Sequence, residues 1–264
     1  MEKIEDFTTN MALSYDEVVA NIRANEKRNL LQIYDLPDWR EGMPIAIVGG
    51  GPSLKETLPE LRKFKHVMVC GSAHDFVVEQ GIIPRWCVVC DPDPVMANYL
   101  RRAHMHTKFL VASQCDAAVF EELKDRNVVL WHCGGDKKDN DTIWNTESTL
   151  VVGGGTTVAT RAMIIAMCFG YSNQHLFGMD TCVRGDTTHA YHVGESIGPL
   201  FPIRLASEDG PEFMMAKYHV AQLRDFKLVL KLFGDRVRFT VHGDGVLAEL
   251  MRISRDTAQK LKAA

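Results

Sequence analysis

Ile45-Ala46-Ile47-Val48-Gly49-Gly50-Gly51-Pro52-Ser53-Leu54 is the stretch that decides the fold. Four apolar residues run into three glycines, a proline and a serine. This reads as a buried first strand that turns sharply into a helix whose N-terminus faces a phosphate. Glycine lets the backbone approach a ligand with no Cβ in the way, and Pro52 and Ser53 suit a first helical turn. The same residues would also serve as a tight strand–helix turn with no ligand. Position 54 is Leu54, so the Gly-x-Gly-x-x-Gly dinucleotide fingerprint is missing, and no Gly-Lys-Ser/Thr follows to make a P-loop.

From Pro44 onward, short β-rich runs alternate with helical segments. Strands are expected at 45–48, 67–70, 86–90, 108–112, 127–131, 149–152, 174–178 and 236–241. Helices are expected at 53–63, 74–80, 93–103, 115–125, 156–169 and 211–233. Apolar strands separated by helices predict an α/β, Rossmann-like fold: a mostly parallel sheet with helices on both faces. Before it, apolar residues from Val18 to Tyr34 follow a helical period, Ser14 and Glu17 form a capping box, and Pro37 ends the pattern. The expected organisation is an N-terminal helical extension over 1–40 and one Rossmann-like domain over 41–264, the extension packing on the domain or making a homodimer.

In such folds ligands bind outside the C-terminal ends of the strands. After successive strands come Gly49-Gly50-Gly51-Pro52-Ser53, Gly71-Ser72-Ala73-His74, Asp91-Pro92-Asp93, Ser113-Gln114, His132-Cys133-Gly134-Gly135-Asp136, Gly153-Gly154-Gly155-Thr156-Thr157 and Gly178-Met179-Asp180. Small, polar and acidic residues thus gather where a site is expected. Gly153 to Thr157 forms a second glycine-rich helix start, able to give N–H groups to an anion or simply to cap the helix. Asp91-Pro92-Asp93 has the spacing to hold a divalent cation with oxygen ligands, and equally that of a proline-rich turn. The richest polar cluster is Asp180, Arg184, Asp186, His189 and His192. A histidine there is a natural general base, a metal ligand, or a hydrogen-bonded loop residue. His74, His132 with Asp136, and His242 with Asp244 are weaker candidates, and Phe213-Met214-Met215 reads as core or a soft contact surface.

Composition narrows the class. Hydrophobic residues make up 46% and charged residues 24%, ordinary for a globular protein. A net charge of −4 gives no basic field to attract nucleic acid. No apolar stretch approaches membrane-spanning length, and the acidic start lacks a signal-peptide core. The seven cysteines, several inside apolar runs, predict reduced, buried thiols of a cytoplasmic protein. Cys87 and Cys90 have C-x-x-C spacing, but a strand would point them to opposite faces and no second pair completes a zinc site.

Gly49-Gly50-Gly51-Pro52-Ser53-Leu54, Gly153-Gly154-Gly155-Thr156-Thr157-Val158-Ala159, and Gly178-Met179-Asp180 followed by Thr188-His189-Ala190 together resemble the MptE-like superfamily. That group joins 6-hydroxymethylpterin diphosphokinases to the motility accessory factors that glycosylate flagellin. The Gly-Pro-Ser-Leu turn is also similar to family 42 bacterial sialyltransferases. The resemblance spans about residues 44–200. It implies a transferase that binds an activated nucleotide. Gly49, Gly50, Gly51, Pro52, Ser53 and Ser72, with Gly154, Gly155, Thr156 and Thr157, would hold the nucleotide. Asp180 and His189 would lie at the reacting centre, and Asp91 by the second substrate or a metal; from the residues themselves, His192 is a further catalytic candidate, and Asp91 with Asp93 a candidate pair for Mg²⁺ or Mn²⁺.

The expected activity is a glycosyltransferase moving a sugar from a nucleotide-sugar donor to an acceptor hydroxyl. His189 would deprotonate that hydroxyl, or orient an aspartate that does so. The acceptor (glycan, protein or modified base) stays open. One alternative is an ATP-dependent diphosphokinase acting on a pterin-like alcohol, with Asp91, Asp93 and Asp136 holding Mg²⁺. Another is a nucleotide-binding module without catalysis, whose N-terminal helix recruits a partner.

Overall fold

The computed structural model describes residues 13–36, 42–134, 149–193, 197–205 and 210–263, with 257–263 described by backbone alone. In chain order the elements are α1 (Tyr15–Asn25), β1 (Leu31–Gln32), β2 (Pro44–Val48), α2 (Leu54–Leu61), β3 (Val67–Cys70), α3 (His74–Glu79), β4 (Trp86–Val89), β5 (Lys108–Ala112), α4 (Ala117–Glu122), β6 (Asn127–Cys133), β7 (Val151–Val152), α5 (Val158–Cys168), β8 (Asn173–Phe177), β9 (Leu200–Arg204), β10 (Glu212–Ala216), α6 (Lys217–Phe233), β11 (Arg238–Val241) and α7 (Val246–Ala263). Short 3-10 helices fill Ile33–Asp35, Gly71–Ala73 and Pro94–Tyr99.

The main sheet runs β1-β6-β5-β4-β3-β2-β8-β11, with β7 also paired to β6, and every pairing is parallel. Ile45, Ala46, Ile47 and Val48 in β2 are fully buried, as are Trp86 to Val89 in β4 and Phe109 to Ala112 in β5. Successive strand residues point to opposite faces, so both faces of the central sheet are covered. Helix α5 packs across β2, β3 and β4. Each fully buried aliphatic side chain contributes about 1.5–3 kcal/mol relative to leaving it in water, which makes these strands the rigid base of the molecule.

After β1 at the far edge, the sheet builds outward from β2 through β3, β4, β5 and β6, and the chain then returns to lay β8 and β11 on the other side of β2. The strand order therefore reverses between β2 and β8. In an open parallel sheet that reversal opens a crevice at the C-terminal strand ends. Both Gly49 to Ser53 and Gly178 to Asp180 sit there.

Several elements depart from the sequence reading, and the helix expected at 93–103 is only a 3-10 helix over Pro94–Tyr99. The helix expected through Tyr34 stops at Asn25, whose buried amide donates to Ser113 O at 2.9 Å and Cys115 O at 2.8 Å. The chain then enters β1, which pairs with β6 at the sheet edge. The capping box does form: Glu17 N–H donates to Ser14 Oγ at 3.4 Å, and Ser14 N–H to the Glu17 carboxylate at 2.8 Å. The apolar face of α1 is used within the chain, Val18 and Ile22 being buried against Leu13, Val19 and Val151. The segment 211–233, expected as one helix, is β10 followed by α6. Residues Glu212–Ala216 are extended because they pair antiparallel with β9, and Met214 also bridges to Val183. Helix α7 lies beyond every element expected from the sequence.

All seven cysteines are free thiols. Cys87 lies in the core, where burial pushes its pKa well above the ordinary value. No helix among the described residues is long and apolar enough to cross a membrane.

Candidate active site

The glycine turn is built by two loops running side by side. Gly49 N–H donates to Phe177 O at 2.8 Å, and Gly51 N–H donates to Gly178 O at 2.7 Å. Ser53 N–H donates to Asp180 Oδ2 at 2.9 Å. A Cβ at Gly51 would run into the Asp180 carboxylate, and one at Gly50 into the Tyr191 hydroxyl and the His189 ring. The glycines are thus required by the chain's own close packing. Asp180 is buried, at 4% exposure, and burial raises its carboxyl above the usual carboxylate range while the Ser53 bonds favour the ionised form. Arg184 ties the same loop outward, pairing with Glu56 at 3.1 Å and with Asp244.

A cleft of about 180 Å³ opens over this turn. Gly49, Gly50 and Gly51 line one wall, and Thr157, Val158, Ala159 and Thr160 of the α5 start line another. Gly178 to Cys182, Thr188 and His189 close a third side, with Tyr218, His219 and Gln222 of α6 over the top. The first N–H groups of a helix have no intrahelical acceptor and carry partial positive charge. The start of α5, where Thr157 Oγ1 accepts from Thr160 N–H at 3.4 Å, is the helix N-terminus that lines the cleft. Among the described residues no Lys or Arg lines it. The polar groups on offer are Ser, Thr, Tyr and Gln side chains, two imidazoles and the Asp180 carboxylate.

Burial disfavours the charged form of both imidazoles. His189 Nδ1 shares a 2.8 Å hydrogen bond with Thr188 Oγ1, and burial lowers its pKa from 6.5. His219 is 4% exposed, and burial followed by repulsion from His189 lowers its pKa to about 4. Ala216 N–H donates to His219 Nδ1 at 3.0 Å, which leaves the proton of the neutral ring on Nε2. No motif marks His219, Tyr218 or Gln222 in the sequence; they fall inside a segment that reads only as amphipathic helix.

The remaining expected residues fall in several places. Ser72 lines the cleft, and its hydroxyl shares a 2.8 Å hydrogen bond with the Tyr191 hydroxyl. Pro52 and Ser53 lie buried behind the turn. Of the second glycine-rich turn only Thr157 lines the cleft, as the cap of α5. Gly154, Gly155 and Thr156 lie outside it, and both the N–H (2.7 Å) and the hydroxyl (2.8 Å) of Thr156 donate to Asp225 Oδ2. His192 is exposed in a neighbouring basin.

Asp91 and Asp93 face their own loop: Asp91 Oδ1 accepts from Asp93 N–H at 3.0 Å, and Asp93 Oδ1 from Val95 N–H at 2.8 Å. They do not converge as a pair on the cleft, and among the described residues no three His, Cys, Asp or Glu side chains are grouped to hold a metal ion. Asp136 lies outside the described residues. His74 is buried against Phe109 and bonded to Asp75, His132 is bonded to Ser113, and His242 stacks flat on Phe177 while bonded to His175.

Among the described residues, a parallel nine-stranded sheet with its cleft at the strand-order reversal defines a Rossmann-like α/β fold. Within that class the chain belongs to the MptE-like family: the family model described as 6-hydroxymethylpterin diphosphokinase MptE-like matches residues 16–186. No curated protein matches the chain. Among solved structures it is similar to the MAf glycosyltransferase from Magnetospirillum magneticum AMB-1, with a TM-score of 0.65 and 17% identity over 90% of this chain. That likeness is one of fold, and the chain spans 38% of that protein's length. A mammalian sialyltransferase aligns with a TM-score of 0.43 and 11% identity, over 88% of this chain and 87% of its own.

Proposed function

We propose that the protein is a glycosyltransferase-type enzyme that takes a nucleotide-sugar donor in the cleft between the loops after β2 and β8. The observation that carries this reading is His189, its Nδ1 2.8 Å from Thr188 Oγ1, lining the same cleft as the α5 N-terminus. The donor phosphate rests against the first N–H groups of α5, with the Thr157 and Tyr218 hydroxyls and the His219 Nε2–H as neutral donors. His189 accepts the proton of the acceptor hydroxyl as its oxygen attacks the anomeric carbon. The bond from that carbon to the phosphate oxygen breaks, and the nucleotide leaves with the electron pair. Asp180 holds the glycine turn in place and takes no proton from the acceptor. Asp91 and Asp93 face their own loop, and no step passes through a metal ion there. The free thiols support a reducing, cytoplasmic setting.

The family description supports a second reading, pyrophosphate transfer from ATP to a pterin-like alcohol. A thermal-shift panel separates the two. CMP, UDP, GDP and ADP sugars are set against ATP, each with and without Mg²⁺. A ligand at a hundredfold excess over its Kd stabilises the native state by about 2.7 kcal/mol. A shift with one nucleotide and its sugar conjugate, and none with ATP, is the expected result. A shift only with ATP and Mg²⁺ replaces it with the diphosphokinase reading, and no shift with any nucleotide rejects both.

A further inference from the structure

A second basin of about 480 Å³ lies beside the cleft, and Ser72 lines both. The Ser72–Tyr191 hydrogen bond is the partition between them. The Tyr191 ring faces three aromatic neighbours: Phe76 at 5.5 Å and Tyr99 at 6.4 Å in the basin, and His189 at 5.4 Å in the cleft. The rim carries Asp75 and Glu79 against Arg101 and Arg102, so its charges balance. These groups hold one another in place. Arg102 Nε donates to Glu79 at 2.8 Å, Arg102 N–H to Asp75 at 3.1 Å, and Arg101 to Asn98 at 2.5 Å.

We infer that this basin is the acceptor subsite, and that its ligand is a carbohydrate whose ring lies against Tyr99 and Tyr191; the inference rests on the glycosyltransferase reading above. An aromatic floor offers a flat apolar face to the C–H side of a sugar ring. Planar carboxylate, amide and guanidinium groups around it match a ring of neighbouring hydroxyls, which both donate and accept. A balanced rim suits a neutral ligand, since neither a phosphate nor a cation meets a net opposite charge there. The open shape admits the end of a longer glycan, and a terminal hydroxyl passing the edge of the Tyr191 ring, which stands 5.4 Å from the His189 ring, would enter the cleft beside His189. His192, on the same rim, is then an acceptor-contacting residue and takes no part in proton transfer.

The test uses the full chain and saturation-transfer NMR with methyl glycosides of galactose, glucose and mannose, N-acetylglucosamine, lactose, and 6-hydroxymethylpterin. Variants are Tyr99→Ala and Glu79→Ala, the second an exposed position on α3 whose loss leaves the core untouched. The expected result is transfer to the ring protons of at least one sugar, weakened about tenfold in Tyr99→Ala and severalfold in Glu79→Ala. Nucleotide thermal shifts stay as in the unaltered chain. Sugar binding that ignores both variants, no sugar binding at all, or binding of the pterin alone overturns the subsite. Nucleotide shifts without sugar binding would remove the subsite and leave the donor reading standing. Variant-sensitive sugar binding without any nucleotide shift would remove the donor reading and leave a carbohydrate site.

Discussion

Asp180 Oδ2 accepts a hydrogen bond from Ser53 N–H at 2.9 Å, joining residues 127 positions apart in the chain. The anion that the first helix start attracts is therefore the protein's own carboxylate. Asp225 does the same at Thr156, 69 positions away. Of these helix starts, that of α5, capped by Thr157, lines the cleft.

If Asp180 holds the turn, Asp180→Ala and Asp180→Asn should differ sharply. Alanine leaves a buried N–H without an acceptor, a loss of about 1–3 kcal/mol. Asparagine keeps an acceptor oxygen and removes the cost of a buried charge. Because burial raises the Asp180 pKa, its ionisation lowers stability as pH rises through that raised value. Asp180→Asn should flatten this drift, and melting temperatures of both variants across pH 4–8 check it.

Gly50 and Gly153 make a matched pair. A Cβ at Gly50 would meet the Tyr191 hydroxyl and the His189 ring, whereas one at Gly153 would meet nothing within 4 Å. Gly50→Ala should cost about 1–3 kcal/mol and displace His189. Gly153→Ala should stay within about 0.5 kcal/mol of the unaltered chain. Denaturant melts measure both.

His219 should stay uncharged throughout the neutral range. Its pKa falls from 6.5 to about 4 in the folded state, so the unfolded chain binds the extra proton between those values. Stability from this group is complete above pH 6.5 and is lost as pH falls towards 4, by about 3 kcal/mol at most. Its imidazole proton resonances should not titrate between pH 5 and 8, and His219→Phe should lose that acid sensitivity.

The sheet was legible because its strands are short apolar runs ending in glycine or aspartate, signals carried locally. The crevice followed from that alternation, and with it Gly49, Gly50, Gly51, Asp180 and His189 as neighbours. The hairpin of β9 and β10 was not legible, because Glu212–Ala216 is extended only through its pairing with Leu200–Arg204. His219 was missed for a related reason: a histidine in a helix reads as surface until the fold buries it against the cleft. Gly154 to Thr156 read as a phosphate cradle because nothing near them in sequence announces Asp225.

The most direct measurement is donor turnover at saturating nucleotide sugar by the unaltered chain and by His189→Ala, across pH 5–8. The unaltered enzyme should rise to a plateau with a midpoint below 6.5, since burial holds the His189 pKa beneath that value and the base acts unprotonated. His189→Ala should lose about 10²–10⁴ in kcat while its nucleotide-induced thermal shift persists. Full turnover in His189→Ala, with the same pH profile, would contradict the assignment of His189 as the base.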